Sequence, residues 1–198
     1  MNDRWEQIEK AFTDLFERQW YTNQGPLTRQ LETELQTLFS VRNALCVVNP
    51  AIGLAMALET TKKDSEPCLL DAAAQGVGVN ELSKSLQQAL AMNTPLLIDC
   101  AGLNAEELGK LMTALPRQPE HGRWIALLPM DRGSCMDAQG GACLATEDDE
   151  LAERLRNIRS SYGVRHTVPV NKTANGRMSE AQAAFGLIAL KTLGSHAA

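Results

Sequence analysis

Four short, almost uninterrupted apolar runs separated by helical periodicity leave this chain few folds to adopt. They are residues 43–48 (Asn-Ala-Leu-Cys-Val-Val), 68–71 (Cys-Leu-Leu-Asp), 95–99 (Pro-Leu-Leu-Ile-Asp) and 124–128 (Trp-Ile-Ala-Leu-Leu). A strand with one wet face alternates apolar and polar residues. A strand without that alternation is buried on both faces, as in a parallel sheet covered by helices. The intervening stretches carry apolar residues at helical spacing: Trp5, Ile8, Phe12 and Leu15 over residues 3–18, then Leu31, Leu35 and Leu38. A helix with Leu82, Leu86 and Leu90 is expected to follow an Asn80 cap, and one with Leu108, Leu111 and Leu115 to follow an Asn104 cap. The expected fold is α/β, a mostly parallel sheet flanked by helices, in a single domain over residues 1–198.

At 198 residues the chain can bury a sizeable core, and its 44% hydrophobic and 22% charged residues are ordinary for a globular protein. No apolar run has the length needed to cross a bilayer, and the polar start Met-Asn-Asp-Arg-Trp-Glu lacks the apolar core of a signal peptide. A cytoplasmic location without membrane contact is therefore expected. A net charge of −5 and the lack of a basic run give no footprint for nucleic acid. Five cysteines with no Cys-x-x-Cys pair indicate reduced thiols. Cys46, Cys68, Cys100 and Cys143 lie in apolar runs and read as buried core, whereas Cys135 lies in a polar loop.

Residues 140–193 are the most ordered stretch of the pattern. A glycine-led strand, Gly-Gly-Ala-Cys-Leu-Ala-Thr, meets an acidic helix start at Glu147-Asp148-Asp149-Glu150, with Thr146 expected as N-cap. Leu151, Leu155 and Ile158 form its apolar stripe, and Arg154, Arg156 and Arg159 crowd its C-terminal half. After a loop containing Tyr162-Gly163 and Pro169 comes Asn175-Gly176-Arg177-Met178-Ser179-Glu180. Here Ser179 and Gln182 have capping-box spacing, and Met178, Ala181, Phe185 and Ile188 line one face of the next helix.

Those residues carry a resemblance. The pattern Gly-Gly-Ala-x-x-x-Thr-x-Asp-x-Glu-Leu-Ala-Glu-Arg-Leu-Arg, followed by Asn-x-Arg-Met-Ser-Glu-x-Gln-Ala-Ala-x-Gly-Leu, resembles the sugar-nucleotide aminotransferases of the DegT/StrS group. Residues 20–27, Trp-Tyr-Thr-Asn-Gln-Gly-Pro-Leu, resemble the family's opening segment near the substrate entrance and dimer interface. They equally read as a Gly-Pro loop before a helix capped by Thr28. The resemblance implies the aspartate-aminotransferase fold and pyridoxal phosphate (PLP) as cofactor. It also implies a shortened chain, without the family's C-terminal small domain and without a strand and helix between residues 61 and 68.

Against that family the catalytic positions are altered. The expected PLP phosphate cradle falls on Asn49-Pro50-Ala51-Ile52-Gly53-Leu54, where proline removes an amide donor and alanine replaces a hydroxyl. The Schiff-base lysine falls near Gly133, and no lysine lies between Lys110 and Lys172. Arg132 cannot replace it, because a guanidinium stays protonated, and His121 lies too early in the sequence to do so. Asp99, ending an apolar run as Asp-Cys-Ala, resembles the aspartate that pairs with the pyridine nitrogen. On the alternative register that strand is residues 124–128, and Asp131 takes the role. Asn175 and Arg177 stand where the family gives an asparagine to the neighbouring subunit's phosphate, and Asn175 also reads as a turn residue before the Ser179 cap.

The expectation is a non-catalytic relative of the PLP-dependent sugar-nucleotide aminotransferases. It would pair as a homodimer, or as a heterodimer with an intact aminotransferase, or bind a nucleotide sugar, with PLP implied only through the family. The alternative is an aminotransferase using a lysine from another position, such as Lys172, or from another chain.

Overall fold

In a computed structural model of the chain, described over residues 2–19, 23–61, 68–71, 88–89, 95–118, 123–160, 167–170, 172 and 174–196, five strands form one mixed sheet. The order along the chain is α1 (Asn2–Glu17), α2 (Pro26–Phe39), β1 (Asn43–Val47), α3 (Pro50–Thr61), β2 (Cys68–Asp71), β3 (Leu96–Asp99), α4 (Ala105–Ala114), β4 (Trp124–Pro129), β5 (Ala142–Thr146), α5 (Asp149–Arg159) and α6 (Glu180–His196). The four runs read from sequence are β1 to β4. The helix expected from Asn80, the segment Trp20–Tyr21–Thr22, His121 and the loop at Tyr162-Gly163 lie outside the described residues.

The strand order is β1-β5-β4-β3-β2. Strands β2, β3 and β4 pair in parallel, while β5 runs antiparallel to both β1 and β4. The glycine-led strand is thus the one reversed element, and it separates β1 from the other parallel strands. Side chains alternate across the sheet as strand geometry requires. Ala44, Cys46, Ile98, Ala126, Leu128 and Cys143 enter one core, and Leu45, Val47, Leu97, Ile125, Leu127 and Leu144 enter the other. Helices α2, α4 and α6 cover the first face, with α1 packed on α6; α3 and α5 cover the second.

Several local expectations need correction. Thr28 is not the cap of α2. Gly25 is the N-cap, with Pro26 opening the helix, and the missing side-chain acceptor comes from Glu180 at the start of α6. One of its oxygens accepts from Gly25 N (2.8 Å), Thr28 N (3.1 Å) and Thr28 Oγ1 (2.6 Å); the other accepts from Leu27 N (2.7 Å). A carboxylate at a helix N-terminus satisfies orphan amides and complements the dipole. Thr146 is not the cap of α5 either. Asp148 is, accepting from Glu150 N and Leu151 N, while Thr146 donates to Trp124 O and accepts from Asp148 N. Trp5 lies off the buried stripe of α1 at 67% exposure, and Leu15 anchors that helix. Helix α6 buries Ala183, Ala184, Ile188, Ala189 and Leu190, because α1 and α2 clasp it from two sides; Ala181 and Phe185 are only half-buried. Phe185 meets Phe12 edge to face at 5.6 Å.

Other expectations hold. Asn104 and Glu107 form a complete capping box on α4, and Ser179 and Gln182 one on α6. Cys46, Cys100 and Cys143 are buried free thiols, whereas Cys68 is only half-buried. The three arginines of α5 are structural. Arg154 pairs with Glu150, Arg156 with Glu153 (2.8 Å), and Arg159 with Glu32 (2.5 Å). Among the described residues no helix is long and apolar enough to cross a membrane.

Candidate functional site

In a sheet of this kind the strands' carboxyl ends share one edge, where open α/β sheets hold their ligands. Here that edge carries Val47 (β1), Pro129 (β4), Asp99 (β3) and Asp71 (β2), and the reversed β5 begins there at Ala142. Asp99 falls on it, Asp131 and Gly133 on a loop leaving it, and Asn175 and Arg177 on a segment that runs beside its outer end at Val47 and Val48. Asp131 and Gly133 lie together in the β4–β5 loop, and Asn175 and Arg177 lie together on the segment entering α6. They form separate groups. Arg177 bridges to Val47 on the outer flank of β1, while Asp99 lies three strands inward, about 14 Å across the sheet.

Asp99 is half-buried and accepts from Ala101 N at 3.0 Å, a local turn that fixes its carboxylate. Asp131 is exposed, and its carbonyl accepts from Ser134 N at 3.1 Å in a tight turn. Sequence reasoning missed Asp71, which stands level with Asp99 on the neighbouring parallel strand. Its signal was the same acidic end to an apolar run. Two thiols border this edge. Burial, reinforced by the nearby Asp99, pushes Cys100 up, and burial pushes Cys135 up, so neither is poised as a nucleophile. Among the described residues no group of three or more His, Cys, Asp or Glu side chains could hold a metal ion.

The start of α3 is closed on itself. Asn49 Oδ1 accepts from Ile52 N at 2.8 Å, and Pro50 has no N–H to offer. Of the three residues opening the helix, only Ala51 retains an amide without a partner. The 175–177 segment packs against α3 at Gly176, whose carbonyl accepts from Val48 N at 2.9 Å, and Arg177 Nε donates to Asn175 Oδ1 at 3.3 Å. Gln182 Nε2 donates to Val48 O at 2.9 Å and ties this segment to β1.

The β4–β5 loop folds back on Met130, whose carbonyl accepts from Ala138 N and Gly140 N and whose amide donates to Gly141 O. Gly133 has φ +86°, in the left-handed region that L side chains rarely adopt, and space around it is open. The position matched to the family lysine is thus exposed and held in a glycine conformation. With one open amide at α3 and no lysine on this loop, these residues do not fit a PLP held through an imine to this chain.

Residues 2–69 match the model of the DegT/DnrJ/EryC1/StrS aminotransferase family. A search of curated protein sequences gave no match. Among solved structures, the fold is similar to that of ntda from Bacillus subtilis with bound cofactor pmp (TM-score 0.64, 18% identity, 98% of this chain and 54% of that one). It is also similar to Helicobacter pylori PseC, an aminotransferase involved in the biosynthesis of pseudoaminic acid (TM-score 0.60, 16% identity, 96% and 63%). A third is S. venezuelae DesV in complex with a ketimine intermediate (TM-score 0.61, 19% identity, 96% and 62%). The chain spans 54% to 63% of the lengths of the first two. The family model thus matches residues 2–69, and the chain shares its fold with these solved aminotransferase structures.

Proposed function

We propose that this chain is a non-catalytic relative of the PLP-dependent sugar-nucleotide aminotransferases, acting by association with a second chain or by binding a nucleotide-sugar ligand. The observation that carries the reading is Gly133, an exposed glycine at φ +86° where the family resemblance places the Schiff-base lysine. No lysine stands between Lys110 and Lys172 to take its place. The self-capped α3 start supports the same reading, since Asn49 and Pro50 together remove two of the donors that a phosphate would need.

The surviving pair, Asn175 and Arg177, favours association over solitary binding. Asn175 is exposed and Arg177 half-buried beside the outer flank of β1, where Arg177 bridges to Val47. In the resembled family that asparagine serves the neighbouring subunit. A role in nucleotide-sugar or surface-polysaccharide metabolism follows by analogy with that family alone.

The test is the mass of the native particle, measured alone and after co-expression with an intact aminotransferase of the same kind. A homodimer or a mixed dimer weakened by Asn175→Ala and Arg177→Ala is expected. A monomer in both preparations would sink the association reading.

A further inference from the structure

Cys46 and Cys143 are direct partners in the β1–β5 register. Antiparallel partners come in two kinds, and the backbone bonds identify which this is. Cys46 N donates to Glu32 Oε1 at 2.8 Å, and Cys46 O accepts from Arg159 Nη1 at 2.8 Å, so both groups turn away from β5. On the other side, Met130 N donates to Gly141 O at 3.0 Å, and residues two apart on a strand point their backbone groups the same way. Cys143 therefore directs its N–H and C=O at β4. Cys46 and Cys143 form a non-hydrogen-bonded pair, the closer kind, with about 4.5 Å between Cα atoms. That spacing lies within the range spanned by disulfides, about 4.4–6.8 Å.

We propose that Cys46 and Cys143 are a prealigned dithiol that closes to a cross-strand disulfide under oxidising conditions. Both side chains enter the same core face, both are fully buried, and neither is bonded to any other cysteine. The adjoining Cys143 thiol, together with burial, raises Cys46 well above the ordinary thiol range. Both thiols are shut away from solvent, so closure waits on local opening. β1 is the terminal strand of the sheet, and side-chain contacts of Glu32 and Arg159 together with the 176–177 segment, rather than a further full strand, cover its outer flank.

The oxidant is a low-molecular-weight disulfide. One protein thiolate attacks it, forming a mixed disulfide and releasing one small thiol; the second protein thiolate then displaces the other. Two S–H bonds are lost and one S–S bond forms. The two electrons and two protons end on the two small thiols. The product clamps β1 to β5 directly beneath Val47 and Val48, which hold the Gly176–Arg177 segment. This inference does not depend on the proposed function.

The experiment is incubation of the folded full chain with oxidised glutathione in native buffer, followed by intact mass and a non-reducing peptide map. The expected product has lost two hydrogens, carries a 46–143 linkage, melts at higher temperature and reverts with dithiothreitol. Cys46→Ala and Cys143→Ala should each abolish the linkage, and Cys135→Ser should leave it unchanged. Since the buried variants can unfold the chain, the wild-type map alone decides. Glutathione left on Cys68 or Cys135 with Cys46 and Cys143 still free, or a linkage formed only in urea, would overturn the proposal.

Discussion

Glu180 accepts a hydrogen bond from Thr28 Oγ1 at 2.6 Å across 152 residues of sequence. With the three backbone amides that the same carboxylate takes, it fastens the start of α6 to the start of α2. Replacing Glu180 by alanine strands buried donors, and the expected loss is about 3 kcal/mol of stability, with Glu180→Gln losing about half as much. Urea unfolding followed by circular dichroism measures both. A loss under about 0.5 kcal/mol for the alanine variant would show that water serves the α2 amides equally well.

Gly141 sits against Met178 at the mouth of β5. A Cβ there would come within 2.4 Å of Met178 Cε, and the residue's φ is +96°. Gly141→Ala should therefore destabilise the chain by about 2–3 kcal/mol, through backbone strain as well as contact. Adding Met178→Ala removes the clash but not the strain, so the double variant should remain below Met178→Ala alone. Equal melting temperatures for those two would mean that the backbone at Gly141 relaxes freely.

Restoring a lysine does not restore the site. Gly133→Lys must hold a side chain at φ +86°, at a stability loss of about 1 kcal/mol, and the start of α3 still has Ile52 N taken by Asn49 and no amide at Pro50. Incubated with PLP and reduced with borohydride, this variant should show no adduct at position 133. Combined with Pro50→Gly and Asn49→Ser it should begin to show one. An adduct in the single variant would mean that the α3 cap is no obstacle.

Alkali should unfold the protein earlier than its charge alone would suggest. Cys46, Cys100 and Cys135 all hold their protons above the ordinary thiol range. Their contribution is fully present below the unfolded thiol pKa, about 8.5, and falls as pH rises past it, because the unfolded chain ionises first. The slope is about 1.4 kcal/mol per pH unit for each thiol, and Cys100→Ala should flatten it by about that much. Urea midpoints from pH 7 to 10 provide the check; an unchanged slope in Cys100→Ala would contradict the assignment.

The strands were legible because they are buried on both faces, which writes them as apolar runs. The orientation of β5 was not, since Ala142 to Thr146 reads the same in either direction and only its neighbours set its sense. Caps divided in the same way. Asn104 with Glu107 and Ser179 with Gln182 are three residues apart and were visible, whereas the Glu180 cap on α2 spans 152 residues and leaves no local mark. At the site, the missing lysine and Pro50 could be read directly. The separation of Asp99 from Arg177 across the sheet could not, because it depends on strand order.

The family resemblance rested mainly on residues 140–193, yet the family model matches residues 2–69. That span covers α1 to α3 and reaches β2, including the altered cradle at Asn49-Pro50-Ala51.

The central claim is that no lysine of this chain forms an imine with PLP. The most direct test is a PLP titration of the purified protein followed by borohydride reduction and peptide mapping. An absorbance spectrum that stays that of free PLP, with no modified peptide, is the expected result. A stoichiometric adduct on one lysine that is lost on its replacement, Lys172→Ala above all, would contradict it and return the chain to the enzymes.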